Sequence, residues 1–350
     1  MRAIRLDVAP RIAGGGRIAA IDELKGIAIA LVLVYHCGGV LGIPNYVHGE
    51  IGVDIFLILS GMTLAAFSAA TPLGDFLVRR FLRIYPSYWL ALGLFIWLGD
   101  LYLGGPRPWE SIWQHFLGIH GFSRLAYFSD LSESFWFVSL ILAAYAVFAC
   151  IRSRLDDLSL VFGACGFLTA LAVVLYQVNG HSGGLISLAV RIPSFFAGVV
   201  AGRLLGAGTA QIRLNLPLGL GILCFYYLTF FRGVTCNYTI PAIGIVLTWM
   251  ALRQPLVGSA AGRLAARALA LLGVISYEIF LFHQPLVGDM NIFAYHVFLK
   301  VPNPSQAQLG LGILVALGAT ILISIPVHLA VGWVFSLLRR GPAPRRPAAA

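Results

Sequence analysis

Residues 308–338 read QLGLGILVALGATILISIPVHLAVGWVFSLL, a run without a single Asp, Glu, Lys or Arg. A spanning helix needs about 20 mostly apolar residues, because each adds about 1.5 Å against a hydrocarbon core of about 30 Å. This run is long enough to tilt, or to kink at Pro326. The same rule marks nine runs before it, at 25–43, 51–70, 84–103, 135–151, 158–178, 184–204, 214–231, 234–252 and 268–288. Their length and their lack of two-residue alternation predict helices rather than barrel strands. The chain of 350 residues is 59% hydrophobic and 11% charged, against about 25% charged in soluble domains. A water-exposed surface cannot be assembled from it. That excludes a soluble nucleotide-binding or barrel enzyme, a disulfide scaffold, collagen and a disordered chain. The expected fold is all-α: a polytopic membrane bundle of about ten helices.

Loop charges orient the bundle. With the N-terminus cytoplasmic, 19 of the 24 Lys and Arg residues fall in cytoplasmic segments, leaving only Arg107, Arg124, Arg191, Arg232 and Lys300 elsewhere. A miscounted helix would flip every later loop and destroy this bias. Both termini are therefore expected in the cytoplasm. The expected organisation is a cytoplasmic N-terminal segment (1–20), a transmembrane domain (21–338) and a disordered Pro/Ala-rich tail (339–350). The net charge of +10 is explained by this bias, not by nucleic-acid binding. The five cysteines show no C-x-x-C spacing, and no H-x-x-x-H or H-E-x-x-H pattern suggests a metal. The longest outer loop, about 104–134, reads as an interfacial segment, with His115, His120 and His181 as ordinary surface histidines.

Ionisable groups inside spans are costly and default to functional candidates. Here they are His36, Asp54, Arg191, Glu278, His283 and His328. The first helix, AAIDELKGIAIALVLVYHCGG (19–39), puts Lys25 and His36 eleven residues apart. That is three turns plus about 20°, so they share a face about 16 Å apart along the axis. His36 reads either as a hydrogen-bonded core histidine or as a general base, which neutral imidazole suits near pH 7. In HGEIGVDIFLILSGMTLAAF (48–67), Asp54 is free to orient His36, to cap the helix start or to bind a substrate hydroxyl. In FLVRRFLRIYPSYWLAL (76–92), Arg80 and Arg83 stand three apart on one side of a helix. They serve either as inner-face anchors or as a fork for phosphate. LLGVISYEIFLFHQPLV (271–287) places Ser276 and His283 on one face, with Glu278 aimed elsewhere, toward Arg191. His283 reads as a substrate ligand or as a helix-packing hydrogen bond. His328, beside Pro326, reads as structural.

Five segments in order, IDELKGIAIALVLVYH, GVDIFLILSG, RRFLRIYPSYW, FWFVSL and ISYEIFLFHQP, resemble the acyltransferase 3 family of integral membrane O-acyltransferases. The resemblance runs from Ile21 to about Trp333. It implies that His36 is the essential first-helix histidine and that Arg80 and Arg83 are the R-x-x-R motif associated with acetyl-coenzyme A. The family's basic residue eleven positions before the histidine is usually arginine; here it is Lys25, which keeps charge and loses the bidentate fork. The glutamate that many members carry after the tryptophan motif is missing, since Leu140, Ile141 and Leu142 stand there. Asp54 or Glu50 is the expected substitute.

The implied activity is transfer of an acyl group, acetyl in the first place, from cytoplasmic acyl-coenzyme A to a hydroxyl of a surface or periplasmic saccharide or glycolipid. The enzyme would sit among the lipids of a bacterial inner membrane. His36 and Asp54 are the catalytic candidates, and Lys25, Arg80 and Arg83 would hold the donor. Glu50, Ser139, Tyr277 and His283 are candidates for substrate contact, with no metal. A glycan or glycolipid transporter or flippase is the alternative; no inverted repeat or paired broken helices speak for it.

Overall fold

A computed structural model describes residues 19–43, 46–103, 109–122, 133–178, 183–206, 238–288, 291 and 294–339. The segment before residue 19, the expected seventh span at 214–231, His181 and the tail from 340 lie outside the described residues. Eleven α-helices are described: α1 (Ala19–Val40), α2 (Ile51–Phe67), α3 (Leu73–Leu103), α4 (Trp109–Phe116), α5 (Trp136–Ile151), α6 (Leu158–Val178), α7 (Gly183–Gly206), α8 (Thr239–Val257), α9 (Ala260–Val274), α10 (Ser276–Val287) and α11 (Gln306–Arg339). No strand occurs among the described residues. Six helices there are long and apolar enough to cross a bilayer, and the α9–α10 pair makes a seventh.

Nine of the ten expected spans meet a helix, with two differences of substance. The third begins at Leu73 rather than 84, so Arg79, Arg80 and Arg83 stand on the same helix as the span that follows them. The ninth is two helices, bent by 76°. Ser259 caps the first of them by accepting a hydrogen bond from the Gly262 backbone N–H at 3.0 Å, satisfying one of the otherwise orphaned donors of that turn.

Between helices in lipid, burial of apolar surface offers little drive, and close packing over small residues takes its place. Two crossings show it. Where α2 meets α7, a Cβ on Gly61 would land on the Phe195 carbonyl, and one on Gly198 would land on the Ile58 carbonyl. Where α1 meets α9, Gly26 faces the Leu269 carbonyl and Gly273 the Asp22 carbonyl in the same way. Any larger residue would push these pairs apart. The main core lies where α2, α3, α5, α7 and α10 converge, around Leu57, Tyr88, Val138, Phe148, Phe195 and Leu281. Outward faces are apolar: Leu314, Leu322 and Leu329 of α11 are all more than half exposed, as a lipid-facing surface requires.

The segment between α3 and α5 departs from expectation at its histidines. Its α4 helix packs against α3 through His115 while Trp109, Trp113 and Phe116 stay exposed. The last carbonyls of a helix have no partner within it; here those of His115, Phe116 and Leu117 accept from Tyr88 Oη (2.7 Å), Trp89 Nε1 (2.9 Å) and Tyr85 Oη (2.8 Å). Trp89 stacks on Phe116, with centroids 4.7 Å apart. His115 and His120 are accordingly not surface histidines. Both are buried, and their rings stack at 4.0 Å. Burial lowers the His115 pKa to about 4 and pushes that of His120 well down, because a charged imidazole there would lack solvation.

Candidate active site

Lys25 from α1 and Arg80 and Arg83 from α3 line one cavity of about 130 Å³. The remaining wall includes Phe56, Phe137, Tyr145, Tyr277 and Phe280. The two arginines reach it together because a spacing of three puts them on one side of α3. Aromatic faces hold them: Arg80 lies 5.7 Å from the Tyr145 centroid and Arg83 5.9 Å from that of Tyr277, a favourable setting for a cation. Tyr277 donates its hydroxyl hydrogen to the Ile84 carbonyl (3.0 Å), which ties α10 to α3 at this point. Lys25 lies 3.4 Å from Asp22, one turn before it. The Nε of Arg80 is buried and has no hydrogen-bond partner among the described residues. A cavity with three cations and an unsatisfied guanidinium donor is chemically an anion site.

His36 stands on α1, toward its C-terminal end. Its ring is half-buried and meets that of His283 edge to face, with centroids 4.7 Å apart. His283 is fully buried on α10. Its Nδ1 lies 2.9 Å from the Phe280 carbonyl and 3.1 Å from that of Ile279. Carbonyl oxygens only accept, so Nδ1 carries the hydrogen and Nε2 keeps a lone pair. Phe280 belongs to both places: it lines the basic cavity, and its ring lies 5.7 Å from that of His283. The cavity and the histidine pair are thus adjoining features that share Phe280, whose ring clusters with those of Phe56 and Phe137 in the cavity wall.

Asp54 makes none of its hydrogen bonds to His36. One oxygen pairs with Arg191 of α7 and the other accepts from Ser194, whose hydroxyl also lies 2.7 Å from that of Thr239. Glu50 pairs with the same guanidinium. Arg191 is itself buried, between the rings of Trp136 (5.3 Å) and Tyr238 (5.0 Å). Both carboxylates suggested as substitutes for the absent family glutamate are therefore engaged by one arginine. This also corrects the expected partner of Glu278, which is not Arg191: the Glu278 carboxylate accepts from Ser87 (3.1 Å) and lies 3.2 Å from His328 Nδ1 on α11. Ser139 is not among the residues lining the cavity; its oxygen accepts the Gly121 backbone N–H at 2.9 Å and holds the loop after α4.

Two associations escaped sequence reasoning. The His36–His283 contact joins residues on different helices, and no local spacing encodes it. The Asp54–Arg191–Ser194–Thr239 network left one trace, a lone arginine inside an apolar run. Among the described residues no group of His, Cys, Asp or Glu could hold a metal ion.

A helical membrane bundle with a basic cavity abutting a pair of buried imidazoles has the parts for group transfer from an anionic donor. The chain belongs to the acyltransferase 3 family: that family's acyltransferase domain matches residues 18–329. Over 338 residues the chain is 26% identical to BcsY of Komagataeibacter xylinus, named as a membrane-bound transacylase, covering 87% of this chain and 81% of the relative. No solved structure matches the chain. It is a membrane acyltransferase.

Proposed function

We propose that this acyltransferase moves an acyl group, acetyl in the first place, from cytoplasmic acyl-coenzyme A to a hydroxyl of a surface or periplasmic saccharide or glycolipid. It does so in a bacterial inner membrane, through about ten spans with both termini cytoplasmic. One observation carries the reading: three cations from two separate helices line a single cavity whose Phe280 wall also touches the histidine pair. Phosphates of the donor sit among Lys25, Arg80 and Arg83, and the slender thioester arm passes the aromatic cluster toward His36. Neutral His36 takes the proton of the acceptor hydroxyl as its oxygen attacks the thioester carbonyl. The C–O bond forms, the C–S bond breaks, and the proton passes to the departing thiolate, which regenerates His36. An acetyl-histidine intermediate is the other route open to the same residue. Asp54 and Glu50, engaged by Arg191, brace the site rather than react. Tyr277 contributes a cavity wall, and Ser139 fixes the loop beside it.

Donor binding tests this directly. Acetyl-coenzyme A is titrated calorimetrically onto purified protein in lipid nanodiscs, beside an Arg80→Ala/Arg83→Ala variant with the same thermal stability. Charge-assisted hydrogen bonds contribute about 1.5–3 kcal/mol each, so binding should weaken at least about tenfold. Equal affinity of the two proteins would remove the phosphate assignment.

A further inference from the structure

We infer that His283 is the positioning partner of His36, filling with a neutral imidazole the place that a carboxylate takes in a histidine–aspartate dyad. The inference rests on the reading of His36 as the base. A general base needs an orienting acceptor that fixes its tautomer and stabilises the imidazolium that forms. The carboxylates nearest in the sequence logic, Asp54 and Glu50, are held by Arg191. What His36 meets instead is the ring of His283. Two backbone carbonyls accept from Nδ1 of that ring, leaving a lone pair on Nε2. That Nε2 is buried and has no hydrogen-bond partner among the described residues. A buried acceptor left unsatisfied costs free energy, and the cost is recovered when a donor arrives. The donor is an N–H of His36. Once made, that hydrogen bond fixes His36 with its other nitrogen unprotonated. After that nitrogen has taken the acceptor's proton, the same N–H now belongs to an imidazolium, and its hydrogen bond to Nε2 strengthens. The proton then leaves for the thiolate, so His283 never changes its own protonation.

Thiol release from acetyl-coenzyme A by the purified protein in nanodiscs, with total surface glycan as acceptor, tests the pairing. His283→Leu should lower kcat on the order of 100-fold, within the range of a positioned base. KM for acetyl-coenzyme A should stay within about threefold, since donor contacts are untouched. His283→Gln, which retains an acceptor, should recover most of the loss. His36→Ala/His283→Leu should be no slower than His36→Ala alone, because a residue acting only through another has no effect once that other is gone. If the leucine variant does not accumulate, His283→Met carries the same expectations. Additive losses in the double variant, or a leucine variant with undiminished kcat, overturn the pairing while leaving the base assignment standing. An undiminished His36→Ala overturns both.

Discussion

Arg191→Met should destabilise the bundle far more than its single-residue size suggests. The guanidinium is 2% exposed and pairs with both Asp54, which is fully buried, and Glu50, which is 27% exposed. Glu50 can turn to water or headgroups. Asp54 cannot, and keeps only the Ser194 hydroxyl. Removing one member of a buried pair costs about 3–5 kcal/mol because the other charge is stranded. Loss of the Trp136 and Tyr238 faces adds about 1 kcal/mol. The expected total is about 4–6 kcal/mol. Asp54→Leu/Arg191→Met removes both charges together and should recover about 2–3 kcal/mol of that loss. Unfolding in mixed micelles titrated with SDS, followed by circular dichroism and tryptophan fluorescence, gives both numbers. A single variant within about 1 kcal/mol of the parent, or a double variant whose cost is the sum of the two singles, would refute the brace. The outcome also bears on Asp54, since activity lost by Asp54→Asn should follow the loss of folded protein rather than precede it.

Two further outcomes follow from the same geometry. Phe280→Ala, compared at equal folded protein, should open the apolar end of the cavity and raise the preference for butyryl- over acetyl-coenzyme A about tenfold, since two methylenes in an apolar pocket are worth at least that much; an unchanged ratio of kcat/KM values would mean that Phe280 does not border the acyl path. Acid should destabilise the loop after α3: the folded state keeps His115 neutral down to about pH 4, against an ordinary value of 6.5. The unfolded chain therefore binds the extra proton first, and the contribution of His115 to stability falls as pH drops from 6.5 to 4 and then levels off. The His115 share of the loss is on the order of 3 kcal/mol, and His115→Gln should remove that share in the same unfolding assay, leaving the part that the buried His120 contributes.

What the sequence disclosed and what it hid have different physical causes. Helices in lipid must satisfy their own backbone, so charge-free runs such as 308–338 announce themselves, and α11 spans Gln306–Arg339 as that run implies. The basic cavity was legible in part, because a three-residue spacing puts Arg80 and Arg83 on one face of a helix, and Lys25 of α1 does meet them. Which helix stands beside which is not written in local spacing. Glu278 and Arg191 looked like partners only because both were solitary charges in apolar runs, whereas α10 faces α3 and α11 and gives Glu278 to Ser87 and His328. The bend between Val274 and Ser276 carries no proline to mark it. The burial of His115 and His120 was hidden by aromatic donors on α3, which draw the loop inward although its composition suits an interface.

On the proposed reading a lipid-embedded imidazole, His36, carries the acyl transfer. Everted membrane vesicles bearing equal amounts of the parent or His36→Ala protein, supplied with acetyl-coenzyme A labelled in the acetyl group, give its most direct measurement. The label appearing on saccharide should fall at least about 100-fold in the variant. Equal labelling by the two proteins would mean that His36 is not the base.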